Sequence, residues 1–492
     1  VDTESRVNEE VYYGTIPILP KERIYGFWDT LLIMSGFAIA TWCYVQGGYI
    51  ATIAGIKEII FCTIFGATLA GLILCLSIIA TNRYGIDLWF YQRAVFGYRG
   101  LIVVWLLIFS ATWGYEAIDA IMYGNAIILL FKAGGINLAT SWNPWIATTC
   151  ILFGWWIAIK GPVAVKTSTY IMVPSLMLVG LIIVFLVFSQ YSLMEILAMK
   201  PINAGNYGNR WETYMLILEW NIAFVIAWYP NMGGIPRLVK TERKSYWAHV
   251  FACATVMGVF IIIGALTGMA MSQVTGTAST DPTEWLVKLG GPKLGLLSLV
   301  FICVANVTTQ AVATYTLTVS TKVLKPDWDY KKVATFWSLY CILLVFWPLV
   351  WKYYTTFLAL VGAISGPAIA LIIVDFFILR KQKFSLRSLY RSQGSEAYNY
   401  TAGFNIPALI AFFAGMVCYY SVYDPIATVP KSGIFYFTTA TGLAMIVSGG
   451  IYVVLSRFKW VNQYLRKDLH GDFNGLDGKN SYHHSQPANP MQ

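Results

Sequence analysis

Apolar residues run along this chain in blocks of about 20, interrupted by short polar stretches. Segments long enough to cross roughly 30 Å of hydrocarbon fall near residues 27–50, 56–81, 101–131, 145–161, 163–189 and 213–233. Six more fall near 247–272, 294–321, 333–351, 354–379, 403–422 and 432–456. This pattern predicts an all-α, polytopic membrane protein with twelve spans. Residues 1–26 read as a polar N-terminal segment, 27–456 as one transmembrane domain and 457–492 as a polar, disordered tail. The start "VDTESRVNEEVYYGTIPILPKERIYG" lacks the basic onset and short apolar core of a secretory signal.

Composition agrees. Of 492 residues, 57% are hydrophobic and 12% charged, against about 25% charged in soluble domains. The net charge of +10 raises the question of nucleic acid, and its distribution answers it. With the N-terminus placed inside, 26 of the 34 lysines and arginines fall on inner segments and eight on outer ones. That asymmetry is a topology signal, placing both termini in the cytoplasm of a cell-membrane protein. No nucleic-acid partner is expected; lipid is. The eight cysteines all lie in apolar segments without CxxC spacing, so neither zinc nor a disulfide framework is expected. No Walker-type sequence occurs, which disfavours ATP-driven transport by this chain. No histidine or cysteine constellation suggests an enzyme, and no cofactor is expected.

Polar residues inside the spans carry the chemistry. The third span, "IFSATWGYEAIDAIMYGNAIILLF", places Glu116 and Asp119 in an apolar run, where each charge costs about 2.5–3.5 kcal/mol at mid-depth. On a helix, Tyr115 and Asp119 lie about 40° apart and Glu116 and Asp119 about 60° apart. Three roles are open to these acids: pairing with a cationic substrate beside an aromatic wall, bonding to a neutral heterocycle or titrating in proton coupling, or a structural bond to a neighbouring helix. Glu219 in the sixth span is expected to line the same cavity. The eighth span, "VANVTTQAVATYTLTVSTK", holds Asn306, Thr308, Thr309, Gln310 and Thr314 within nine residues, and hydroxyl oxygens suit a small hard cation. Gly36 in the first span and "YPNMGGIP" in the sixth have two readings: a close-packing glycine and a helix end, or helix breaks, the pointer to an inverted-repeat transporter.

Three stretches resemble the nucleobase:cation symporter-1 family of cytosine, purine, uracil, allantoin and hydantoin permeases: "RYGIDLWFYQRAVFGYRG", "PAIALIIVDFFILRKQKFSLRSLY" and, more loosely, "NMGGIPRLVK". The resemblance implies a LeuT-like fold, five helices and an inverted five followed by two more, with helices 1 and 6 broken. It implies a cation-coupled symporter working by alternating access, as a monomer. Residue by residue, it puts a sodium site on Gly36, Ile39, Ala305, Thr308 and Thr309, with a proton as the alternative coupling ion. It puts the substrate against Tyr115, Asp119 and Thr314, with Phe224 and Trp228 both near the sixth-helix aromatic position. Phe37, Ala40, Glu116, Glu219 and Gln310 complete the expected substrate-side set. The expected substrate is a small nitrogen-rich, nucleobase-like solute. A cationic amine or guanidine paired with Glu116 or Asp119 is the alternative, and a transport-incompetent receptor is the reading from another class.

Overall fold

Each of the twelve expected segments carries helix in the computed structural model, which describes residues 16–39, 41–204, 209–347, 349–390 and 396–466. The expected substrate-side position Ala40, the side chain of Phe37 and the tail from 467 onward lie outside the described residues. Among the described residues six helical segments are long and apolar enough to span a membrane unaided. The fourth and ninth spans are shorter, 16 residues each, or about 24 Å at 1.5 Å per residue.

Helices used below are α1 (Phe27–Ala38), α2 (Thr41–Ala51), α3 (Ile56–Leu76), α4 (Leu88–Phe96), α5 (Tyr98–Ala133), α6 (Asn143–Ala158), α7 (Pro162–Gln190), α8 (Arg210–Ile226), α9 (Met257–Thr275), α10 (Leu296–Lys322), α11 (Tyr354–Ile373) and α12 (Ala440–Ser456). The first span is broken as expected: α1 and α2 meet at 59°. The sixth span is broken too. Helix α8 stops at Ile226, and the chain continues through two short 3₁₀ turns, Tyr229–Met232 and Pro236–Leu238. Pro230 and Pro236 each lack the N–H that an α-helix would require there.

Burial follows the fold rather than simple amphipathicity. Helix α2 is buried on all sides, as expected of a helix at the centre of a bundle. It packs on α9 through paired glycines: a Cβ at Gly47 would lie 2.1 Å from the Ile261 carbonyl oxygen, and one at Gly264 would lie 2.5 Å from that of Tyr44. Small residues are what let two membrane helices approach this closely. Outer helices carry large exposed apolar residues, Phe61, Phe65, Leu181, Phe185 and Leu343 among them, the surface a bilayer would cover. Seven cysteines are buried and free and Cys418 is partly exposed.

The lysine- and arginine-rich end is tied together by a dense set of bonds. Lys166 Nζ lies 2.7 Å from Asp29 Oδ1, and Arg83 Nε lies 2.6 Å from Glu242 Oε1. Tyr25 pairs its backbone with Leu238 and Lys240. Asp375 and Arg380, both fully buried, pair at 2.7 Å, and the hydroxyls of Tyr91 and Tyr452 donate to the same carboxylate. A buried pair needs such extra bonds to offset its desolvation. The tail begins with a short helix, Lys459–Leu465, whose last carbonyl accepts from Arg380 Nη2 at 2.9 Å.

Candidate functional site

The two breaks face each other across the middle of the bundle, with α5 and α10 beside them. Between them lies a small chamber, about 20 Å³ in this state, lined by Trp42, Thr112, Tyr115, Glu116, Phe224, Ala227, Trp228 and Asn231. Its aromatic walls stand edge to face. Trp42 lies 6.2 Å from Tyr115 at 89° and 6.2 Å from Trp228 at 84°. Phe224 and Trp228, one turn apart near the end of α8, both reach it. All of these side chains are buried, so a ligand enters only if the helices around them move.

Glu116 is the chamber's carboxylate. It is 1% exposed, and its Oε2 has no hydrogen-bond partner. Its backbone carbonyl accepts the side-chain amide of Gln310 on α10. Asp119, one turn further along α5, does not line the chamber. Its Oδ1 accepts from Thr41 Oγ1 at 3.0 Å, and its backbone carbonyl accepts from Asn306 Nδ2 at 3.1 Å. Asn306 and Gln310, four residues apart, thus clasp the α5 backbone at two points. Thr314 is buried further along α10 and does not line the chamber.

The structure removes Glu219 from the expected substrate set. Its carboxylate sits at the start of α12, accepting from Ala440 N and Thr441 N at 2.9 Å each and from Thr441 Oγ1 at 2.7 Å. An anion at a helix N-terminus satisfies orphan donors and meets the positive end of the dipole. Trp113 and Trp220, close in sequence to Tyr115 and Phe224, are engaged elsewhere. Trp113 stacks on Trp337 at 5.3 Å, and Trp220 donates to Tyr423. Sequence reasoning missed Trp42, Thr112 and Asn231. Trp42 follows the first-span break directly, and Asn231 lies in the unwound stretch and accepts from Thr316 Oγ1 on α10 at 3.1 Å. Proximity to a break was the available signal for both.

The five expected sodium residues lie where α1 breaks against α10. Ile39, Ala305 and Thr309 are wholly buried and Thr308 nearly so. Met172 of α7 sits between the two helices, packed on Gly36 and accepting from Thr309 Oγ1 through its sulfur at 3.6 Å. Thr308 Oγ1 donates to the Val304 carbonyl at 2.8 Å. Both hydroxyls give their protons away and keep oxygen lone pairs for a cation. Hydroxyl oxygens of this kind are hard donors.

Comparisons with known proteins agree with this geometry. Residues 17–433 match the family model described as permease for cytosine/purines, uracil, thiamine, allantoin. The purine-uracil permease of Arabidopsis thaliana is 23% identical over 90% of this chain and 77% of its own length. The hydantoin permease of Microbacterium maritypicum is 24% identical over 80% of each. Among solved structures, the nucleobase-cation-symport-1 transporter Mhp1, closed with bromovinylhydantoin bound, superposes with a TM-score of 0.73 at 18% identity over 92% of this chain and 95% of that one. MhsT in complex with L-phenylalanine superposes with a TM-score of 0.52 at 14% identity over 88% of this chain and 99% of that one. The fold is therefore the LeuT-like one, with its first and sixth helices broken, as the sequence resemblance implied. With a family model covering most of its length and broken helices enclosing an aromatic chamber, this chain belongs to the cytosine/purine, uracil, thiamine and allantoin permease family.

Proposed function

We propose that this permease imports a flat nitrogen heterocycle of the nucleobase type, coupled to sodium, by alternating access across the cell membrane. The observation that carries the reading is the chamber itself: four aromatic side chains around a buried carboxyl group that has one oxygen free of hydrogen bonds. Rings set edge to face leave flat aromatic faces on which a heterocycle can stack. The unpartnered Glu116 oxygen can accept a hydrogen bond, so a ligand edge that carries N–H donors, as aminopyrimidines and purines do, would satisfy it.

The cation-coupled relatives and the hard oxygen set of Gly36, Ile39, Ala305, Thr308 and Thr309 support sodium over a proton. Sodium there would hold α1 against α10 and so favour the state in which the chamber is formed. Release to the inner side then requires parting of the Lys166–Asp29 and Arg83–Glu242 pairs. The excess of lysine and arginine on one side supports cytoplasmic termini. A chamber built wholly within one chain supports action as a monomer.

One observation favours a second reading. A carboxylate beside four aromatic side chains is also the arrangement that holds an organic cation. The test is a thermal-shift panel on the purified protein, with nucleobases, hydantoins and aromatic cations, each with and without sodium. A sodium-dependent shift with neutral heterocycles supports import of the nucleobase type. Shifts with cations alone move the assignment to the second reading. No shift with any compound rejects both.

A further inference from the structure

Asp119 is fully buried yet contributes nothing to the chamber. Its Oδ2 has no hydrogen-bond partner, and among the described residues no lysine or arginine pairs with it. Its Oδ1 takes the Thr41 hydroxyl at 3.0 Å. Asn306 Oδ1 lies 3.4 Å from that same hydroxyl. The orientation of the Asn306 amide is set by its other end: the Asp119 carbonyl can only accept, so Nδ2 faces it at 3.1 Å and Oδ1 is turned toward Thr41. Three oxygens, from a carboxylate, a hydroxyl and an amide, therefore converge and share one proton.

A buried carboxyl without a counter-charge takes up a proton or another small cation. All three donors are hard oxygens, the class that binds small hard cations and not soft metals. They also come from three separate elements, the start of α2, the middle of α5 and α10. An occupant would join the first-span break to both neighbouring helices.

We infer that Thr41, Asp119 and Asn306 form a second binding site for a small monovalent cation of sodium or lithium size. It is distinct from the one on Gly36, Ile39, Ala305, Thr308 and Thr309. The inference deepens the proposed coupling and rests on the reading of this permease as cation-driven. It takes Asp119 out of substrate contact and makes it an ion ligand.

The experiment measures thermal unfolding of the purified full chain without substrate, at fixed pH, as sodium chloride replaces potassium chloride at constant ionic strength. The T308A/T309A variant is expected to retain part of the sodium-induced shift. Adding Thr41→Val, which keeps the shape and removes the hydroxyl, is expected to abolish the remainder, as is adding Asp119→Asn. Adding Thr41→Ser is expected to preserve it, which separates loss of a ligand from damage to the fold. The inference is overturned if T308A/T309A has no sodium response, or if Thr41→Val and Asp119→Asn leave its residual response unchanged. A parallel arm follows uptake of radiolabelled cytosine and hydantoin into proteoliposomes. Sodium stabilisation through Asp119 without uptake of either compound rejects the substrate reading and leaves the ion site standing. Uptake with a sodium response confined to Thr308 and Thr309 does the reverse.

Discussion

Glu219 Oε1 accepts the hydroxyl of Thr441 at 2.7 Å, while its other oxygen takes two backbone N–H groups from the same helix start. The sixth span is thereby fastened to the twelfth by a buried acid that never reaches the chamber. Glu219→Gln turns one acceptor oxygen into a donor among donors. It is expected to lower stability by about 1–3 kcal/mol, the usual effect of an unsatisfied buried polar group. Ligand affinity of the protein that remains folded should be unchanged. Thermal unfolding with a ligand titration checks this, and a selective loss of ligand binding would return Glu219 to the substrate site.

Glu116 is expected to behave in the opposite way. Glu116→Gln keeps its size and removes the charge, so folding should be little affected. Affinity for a cationic ligand should fall at least tenfold, because a charged hydrogen bond contributes about 1.5–3 kcal/mol. A neutral heterocycle should lose less. Titration of the variant with matched neutral and cationic compounds separates the two, and an unchanged response to both would remove Glu116 from recognition.

The fully buried Asp375–Arg380 pair, with Tyr91 and Tyr452 on the same carboxylate, holds the end of the tenth span to α4 and the twelfth span. Removing one partner strands the other's charge. Arg380→Ala or Asp375→Ala is expected to cost about 3–5 kcal/mol. The measurement is the fraction of monodisperse protein after detergent extraction, together with its unfolding temperature. Normal yield and stability in both variants would show the pair to be dispensable.

Asp87 caps α4 in the loop after the second span, accepting from Trp89 N at 2.8 Å and Ser320 Oγ at 3.1 Å. Burial pushes its carboxyl up to about 6, against the pull of Arg237. In the unfolded chain the group titrates near 3.8. The folded state therefore holds its proton over a range where the unfolded state has released it, and stability falls as pH rises from about 4 to about 6. Above that range the contribution is flat. Asp87→Asn is expected to reduce this slope in unfolding temperatures measured across the interval, and an identical slope in the variant would place its origin elsewhere.

Much of the architecture was legible in the chain because membrane insertion is a local constraint. Twenty apolar residues in a row must be helical, since no other backbone satisfies its own polar groups in lipid. Pro230, Gly233 and Pro236 likewise announced a break that the backbone makes. The crowding of Asn306, Thr308, Thr309 and Gln310 on the eighth span marked the helix that meets both the chamber wall and the expected ion site. Glu219 was misleading for a simple reason. A buried acid on a cavity-forming helix looks the same in sequence whether it faces the cavity or the start of a helix 220 residues later.

Hydrophobic pattern and the placing of proline and glycine were thus sufficient for the helical segments, their breaks and the kind of polar residues within them. Tertiary structure alone decided that Glu116 enters the aromatic chamber, that Asp119 turns to Thr41 and Asn306, and that Trp42 and Asn231 complete the wall. Periodicity sets the angle between two side chains on one helix, but which side a helix shows to which neighbour depends on contacts among segments far apart in the chain. Those contacts are made only when the broken helices pack against α5 and α10.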